Sequence, residues 1–410
     1  MTSKLDSASS SVAPVADAPV ETPSRTGPGA GSAVQQGRHR VGHTAAEERV
    51  QSVDVLRGFD MFWISGGDHL FHALAIATSW SWVVYLSHQL RHSSWAGFTF
   101  YDLIQPLFLF ITGMTLPLSV GRRLARGQTR WEVFRRLLTR AIFLVILGHL
   151  DKNGAISFDI PQIRFTSVLG RIGVAGLAAG VVIMFTRVRA QIMWVLGIVI
   201  AYWALLTFVP APGQPGPSFK QGINIVDYLD QHVMPGRLAS GNHDANGWFS
   251  TPPVVATVLM GALAGAWLLC PRAMGRKLLG LVGAGLGLVA LGWVWGLQCP
   301  IIKHIWTSSY VVYTGGWSCL LLALFYAIID GLRWRRWAFP FLLIGMNPLM
   351  IYFLGNTRLV DFGYIAKFFL GFAYASAPLD MRAVWQAAAT MAVELVFLYW
   401  LYRRKFFWRV

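Results

Sequence analysis

The sequence predicts an all-α, polytopic membrane protein of about ten transmembrane helices. Three observations carry that expectation. The 410 residues are 55% hydrophobic and only 13% charged, roughly half the charge of a soluble domain. Apolar stretches of roughly 17–22 residues recur from Val53 onward, each long enough to cross ~30 Å of hydrocarbon. The chain also holds 18 Trp, 26 Phe and 12 Tyr, the residues that line membrane interfaces.

Residues 1–48 stand apart. They are rich in Ala, Ser, Pro, Gly and Val and hold no apolar run of signal-peptide length, so they are expected to be a disordered cytoplasmic tail. Residues 49–410 then form one transmembrane domain. The spans expected, in order, are 55–76, 101–121, 137–150, 168–186, 190–209, 252–270, 278–297, 309–329, 338–355 and 384–402. The third is short and runs back into a basic loop. The stretch 362–378 is apolar but broken by glycine, and reads as a re-entrant or interfacial segment. With the tail inside, 25 of the 35 Lys and Arg fall on inner segments, which satisfies the positive-inside rule. The formal charge of +16 is therefore a matter of topology and excludes nucleic acid as the partner. Both termini come out cytoplasmic, in the inner (plasma) membrane. The larger outer segments are 77–100, 151–167 and 210–251.

Three cysteines are too few for a disulfide framework, and no Cys/His cluster suggests a metal. No Walker, H-E-x-x-H or G-x-S-x-G motif is present. What remains is a set of charges that are costly in hydrocarbon. An ionisable group there costs about 2.5–3.5 kcal/mol or more, so it faces a cavity or a partner. The first span carries Arg57, Asp60, Asp68, His69 and His72. Asp68 lies about two-thirds of the way out, behind Gly66 and Gly67, and reads either as a functional carboxylate or as a folding partner for an Arg or His. Arg57 sits at the inner edge beside Asp54, as an anion contact or a snorkelling side chain. The loop 122–140 has seven arginines against Glu132 alone. It suits either the membrane surface or a polyphosphate, the latter through Arg122 and Arg123. On the outer side stand His92, with the chemistry of a base or nucleophile, and Asp102 at the head of the second span. Arg171 is expected as a charge partner of Asp68 or Asp102, and Asp244 closes the long outer loop. Lys303 and His304 read as polar heads in an aromatic belt, Asn347 as a bridge between helices, and Glu394 as structural.

Several blocks in order, RVQSVDVLRGFDMFWISGGDHL, RHSSWAGFTFYDLIQPLFLFITGMTLPLS, SVLGRIGV, DANGWFSTPPVVATVLMGALAGAW, IIKHIWTSSYVVYTGGW and LLIGMNPLMIYFLG, carry a resemblance. They resemble the heparan-α-glucosaminide N-acetyltransferase family, in its NagX-like bacterial branch, from Arg49 to about Gly355. The resemblance implies an acyltransferase that moves acetyl from cytosolic acetyl-CoA to the amine of a glucosamine-type sugar on the far side of the membrane. It implies His92 as the active histidine, ahead of Trp95, Gly97 and Asp102. Two departures stand out: Asp68 where the lysosomal branch has Asn, and Asn246 where the family has Glu.

The sites expected on this basis are His92 and Asp68 for catalysis, and Arg57, Arg122 and Arg123 for acetyl-CoA. Asp102, Arg171 and Asp244 are expected to hold the acceptor, without any metal. The pantetheine arm is expected to thread the bundle to His92. The partners are acetyl-CoA, an amino sugar or glycan and the lipid bilayer, with a homodimer left open. A proton-coupled sugar transporter or flippase, and an envelope polysaccharide O-acetyltransferase, are the alternatives.

Overall fold

The computed structural model describes residues 50–154, 159–357 and 359–408; the expected tail lies outside them. Among the described residues there is no β-strand, only helices and two isolated bridges. The chain opens with α1 (Gln51–Phe62), passes through a π-turn at Trp63–Gly67 and continues as α2 (Asp68–Thr78). Then come α3 (Ser81–Gln89), α4 (Phe100–Ala125), α5 (Arg130–Asn153), α6 (Val168–Phe185) and α7 (Val188–Phe208). The outer loop after α7 holds the short α8 (Ile225–Val233). It leads to α9 (Pro252–Leu269), α10 (Met274–Trp295) and α11 (Ser308–Phe325), which ends in a second π-turn. The last elements are α12 (Phe339–Met346), α13 (Pro348–Thr357), α14 (Phe362–Ser376) and α15 (Arg382–Arg403).

Among the described residues seven helices are long and apolar enough to cross a membrane: α4, α6, α7, α9, α10, α11 with its π-turn, and α15. The pair α12–α13, bent by 66°, makes up to eight. The protein is thus an all-α polytopic membrane protein; among the described residues seven to eight helices, not ten, meet the length and apolarity of a span. Two of the expected spans exist as helices but fall short for physical reasons. The first is interrupted where Gly66 adopts φ 128°, a conformation that a side chain rarely takes. The third, α5, begins with Arg130, Arg135, Arg136 and Arg140. The segment 362–378 folds as the 15-residue α14, kinked at Leu370 and laid against α15. Fifteen residues reach only ~22 Å, short of a crossing.

The centre of the bundle is the α4–α9 pair. A side chain at Gly113 would strike the backbone carbonyl of Val258, and one at Gly261 that of Phe110, so the two helices touch backbone to backbone. Of the apolar window of α4, 72% is buried, against 17% for α10. Leu279, Leu286, Leu291 and Trp293 of α10 are exposed, which is what a lipid-facing rim requires. Asn347 bridges as expected: its side-chain amide donates to Phe406 O at 3.1 Å and its Oδ1 accepts from Trp408 N at 2.8 Å. That staple ties the α12–α13 bend to the end of the chain.

Candidate functional site

The site is built at the outer end of α4. The loop 90–99 precedes that helix, and the loop 296–307 precedes α11. Ala96 pairs with Ile302 in a short antiparallel bridge, and Gly97 N donates to Ile301 O at 2.9 Å. This pairing brings Lys303 to His92, which is 211 positions away in the sequence.

Asp102 is the hub. Its Oδ2 accepts from Ser93 N and Thr99 N, both at 3.2 Å, and from Thr99 Oγ1 at 3.1 Å. These bonds close the N-terminus of α4 and need a carboxylate at its third position. The other oxygen, Oδ1, accepts from His92 Nδ1 at 2.9 Å. That bond fixes the tautomer and leaves Nε2 as the acceptor. The Asp102 carboxylate is sealed from solvent, while the His92 ring keeps 48% of its surface exposed. Lys303 Nζ lies across the ring edge, 2.9 Å from Nδ1 and 3.1 Å from Nε2, and 3.6 Å from Asp102 Oδ1. Burial pushes the Lys303 ammonium down to about 8, with Asp102 pulling it back up. Tyr310, on α11, donates to the Asp102 backbone carbonyl at 2.6 Å and pins the hub from below.

Asp68, at the start of α2, reaches the site at one remove. Tyr101 donates to Asp68 Oδ2 at 3.0 Å, and the Tyr101 ring packs on His92 with 4.7 Å between centroids. The imidazole's carboxylate partner is therefore Asp102, and Asp68 holds Tyr101. Asp68 is the first residue after the π-turn and meets α4 through Tyr101.

The remaining expected contacts lie elsewhere. Arg171 is buried and donates to Gly247 O at 2.9 Å and to Ser250 Oγ, with its guanidinium over Trp306. It pairs with neither Asp68 nor Asp102; it anchors the outer loop. Asp244 is consumed by Arg164, which reaches it with Nε at 2.9 Å and Nη2 at 2.8 Å, and by Thr166 at 2.5 Å. These bonds hold its carboxyl below the usual carboxylate range despite burial. Its carboxylate is closed to an acceptor. The same loop delivers Asn246 to Gln105 at 3.2 Å, one turn into α4 from Asp102. It also builds an aromatic wall, with Trp95 stacked on His304 at 5.2 Å and edge-on to His243 at 5.0 Å. Burial and the neighbouring His243 hold the His304 imidazole below its ordinary value.

At the other end of α4 lies a cavity of about 490 Å³ lined by Arg123, Arg136 and Arg140, with Ser119, Thr139 and Trp408. Of the three expected phosphate contacts only Arg123 lines it; Arg57 meets Asp54 at 3.3 Å, and Arg122 lies outside the lining. Asp102 and Arg123 are 21 positions apart on one helix, about 30 Å. A pantetheine arm of some fourteen bonds extends only ~17 Å. An arm of that length anchored at this cavity would not by itself span the interval to Asp102.

Lys303, Tyr101 and Arg164 are the polar groups that the sequence does not single out for these roles. Lys303 is the one with a visible signal, a lone cation in an otherwise apolar and aromatic stretch. Among the described residues no group of His, Cys, Asp and Glu could hold a metal ion.

No protein-family model matches the chain. It is 25% identical to the human heparan-α-glucosaminide N-acetyltransferase over 95% of its own length, and 24% identical to the mouse protein of that name over 78%. The chain spans 64% and 56% of the length of these two relatives. Over most of its length, then, the chain resembles the heparan-α-glucosaminide N-acetyltransferase family.

Proposed function

We propose that this protein is a membrane-bound acetyltransferase that moves acetyl from acetyl-CoA to the amine of a glucosamine-type sugar at the outer face. The observation that carries the proposal is the His92–Asp102–Lys303 constellation, open at the His92 edge, in a chain similar to two acetyltransferases. Asp102 holds the imidazole at Nδ1, and Nε2 takes a proton from the sugar ammonium as Lys303 Nζ, 3.1 Å away, turns to the substrate carbonyl. The neutral amine then attacks the thioester carbonyl; the C–N bond forms, the C–S bond breaks, and CoA leaves as the thiol after taking a proton. The Lys303 ammonium beside Nε2 stabilises the negative charge that develops on the carbonyl oxygen. Acetylation of His92 itself is the other course, and trapping with labelled acetyl-CoA in the absence of an acceptor separates the two. Asp68 orients Tyr101 against the imidazole, and the Trp95 face offers a platform to the sugar ring.

The Arg123–Arg136–Arg140 cavity is proposed as the entry station for the donor's phosphates at the cytoplasmic face, with both termini on that side. The ~30 Å interval requires the donor to advance past this cavity before transfer. The test is acetyl transfer to a panel of amino sugars by wild type and His92→Ala. Equal rates would refute the proposal, and ester in place of amide products would make the protein an O-acetyltransferase.

A transporter is the second reading, favoured by the interruptions at Trp63–Gly67 and at Asn347. Sugar uptake into liposomes without acetyl-CoA would support it.

A further inference from the structure

Beside the π-turn lies a second cavity, of about 310 Å³, between α1, α12 and α15. Its walls are apolar and aromatic, with one acid, Glu394. Glu394 stands ~18 Å from the start of α15 and ~13 Å from its end, at mid-membrane depth. It is 8% exposed and makes no hydrogen bond or ion pair among the described residues. No lysine, arginine or histidine lines the cavity.

The two side chains in the lining that could donate are already engaged. Ser65 Oγ donates to Phe62 O at 3.4 Å, and Trp337 Nε1 to Trp334 O at 3.0 Å. The lining therefore leaves no free donor for Glu394, and an ionised carboxylate there would take its donor from a ligand. Opposite it stands an aromatic corner. Phe62 and Phe341 meet edge to face at 5.4 Å, and Trp337 and Phe341 at 6.0 Å. A carboxyl group and aromatic rings lining one largely apolar hollow are the chemistry that recognises an ammonium. The apolar remainder of the wall excludes polar amines such as sugars and selects a hydrocarbon body.

We propose that this cavity binds a lipophilic ammonium, an amphiphile with one protonated amine and an apolar body, through Glu394 and the Phe62–Phe341–Trp337 corner. Its wall includes Phe62 and Ser65, which flank and form the π-turn that aims Asp68. The occupant thus sits against the element that shapes the acetyl-transfer site, although its binding does not depend on that activity.

The test uses the full chain in lipid nanodiscs and N,N-dimethyl-2-phenylethylamine as the probe, at a pH where the amine is protonated. Isopentylbenzene, its uncharged carbon isostere, is the control for partition into lipid. The proposal expects saturable amine binding by wild type and none of the isostere. Glu394→Gln should weaken amine binding by roughly tenfold to a hundredfold, the contribution of a buried charge-assisted hydrogen bond. Unchanged affinity in that variant, or equal binding of the isostere, overturns the proposal. A second measurement needs no variant: dicyclohexylcarbodiimide should modify Glu394 in the wild-type protein, and the amine should slow that reaction. Modification at the same rate with and without amine, or none at Glu394, also overturns it.

Discussion

Replacing Asp102 by Asn probes the site through its most connected group. The carboxylate is sealed from solvent, accepts four hydrogen bonds and lies 3.6 Å from Lys303 Nζ. Asn has nearly the same shape but no charge, and it puts an amide N–H₂ toward one of those donors. Coulomb's law at that separation, with an effective dielectric of about 20, gives an upper bound of roughly 4–5 kcal/mol for the pair. Water at the open His92 edge screens much of this, leaving a shift on the order of one to two pH units in Lys303. The sign follows directly. Asp102 raises the Lys303 value, which burial has set at about 8, so its loss moves that value further down. Transfer that needs the Lys303 ammonium is present below this value and fades as pH rises through it. In wild type the alkaline limb of kcat is therefore expected near pH 8. In Asp102→Asn it should lie at roughly pH 6–7, beneath a maximal rate reduced about 10²–10⁴-fold by the misheld imidazole. The assay is acetyl transfer at saturating acceptor across pH, with Lys303→Arg as a control whose limb should vanish from this range. A limb that stays at the wild-type pH in Asp102→Asn would refute the coupling of the two residues.

Other outcomes follow from the same geometry. Arg136→Gln with Arg140→Gln should raise KM for acetyl-CoA roughly tenfold or more with little change in kcat, read by steady-state kinetics. Asp244→Ala strands Arg164 and should lower stability by about 3–5 kcal/mol, read as a drop in Tm and in yield; a change confined to acceptor KM would contradict the staple role. Asp230 is raised by burial to about 6 from an ordinary 3.8, so its stabilising contribution is complete below the ordinary value and lost as pH rises through the raised one. Asp230→Asn keeps an acceptor for Phe249 N and should gain about 1–3 kcal/mol at pH 8, vanishing near pH 4, by thermal melts.

The membrane character was legible because hydrocarbon imposes a composition that no soluble fold needs. The helices of the first and third expected spans were legible too, but not their departures. A π-turn rests on one glycine at positive φ, and seven arginines in a row of helical turns look alike whether they lie in or beside the bilayer. His92 and Asp102 were visible as costly polar residues near one interface. Their mutual bond was not, because it depends on Asp102 closing the α4 N-terminus. Lys303 was visible as a lone cation, but its place beside His92 was not. A bridge between residues 96 and 302 brings it in, and no local pattern encodes a pairing across two hundred positions. The surroundings of Arg171 and Asp244 were hidden for the same reason: Arg171 meets Gly247 and Ser250, and Asp244 meets Arg164 and Thr166, contacts between separate outer segments that no local pattern encodes.

The most direct measurement is transfer across a sealed bilayer. Protein is reconstituted in one orientation, with acetyl-CoA confined to the Arg123 side and an amino sugar to the His92 side. Acetylated sugar should accumulate on the His92 side in wild type and be lost in His92→Ala. Product that forms only when donor and acceptor share a compartment, or at the wild-type rate without His92, would contradict the account.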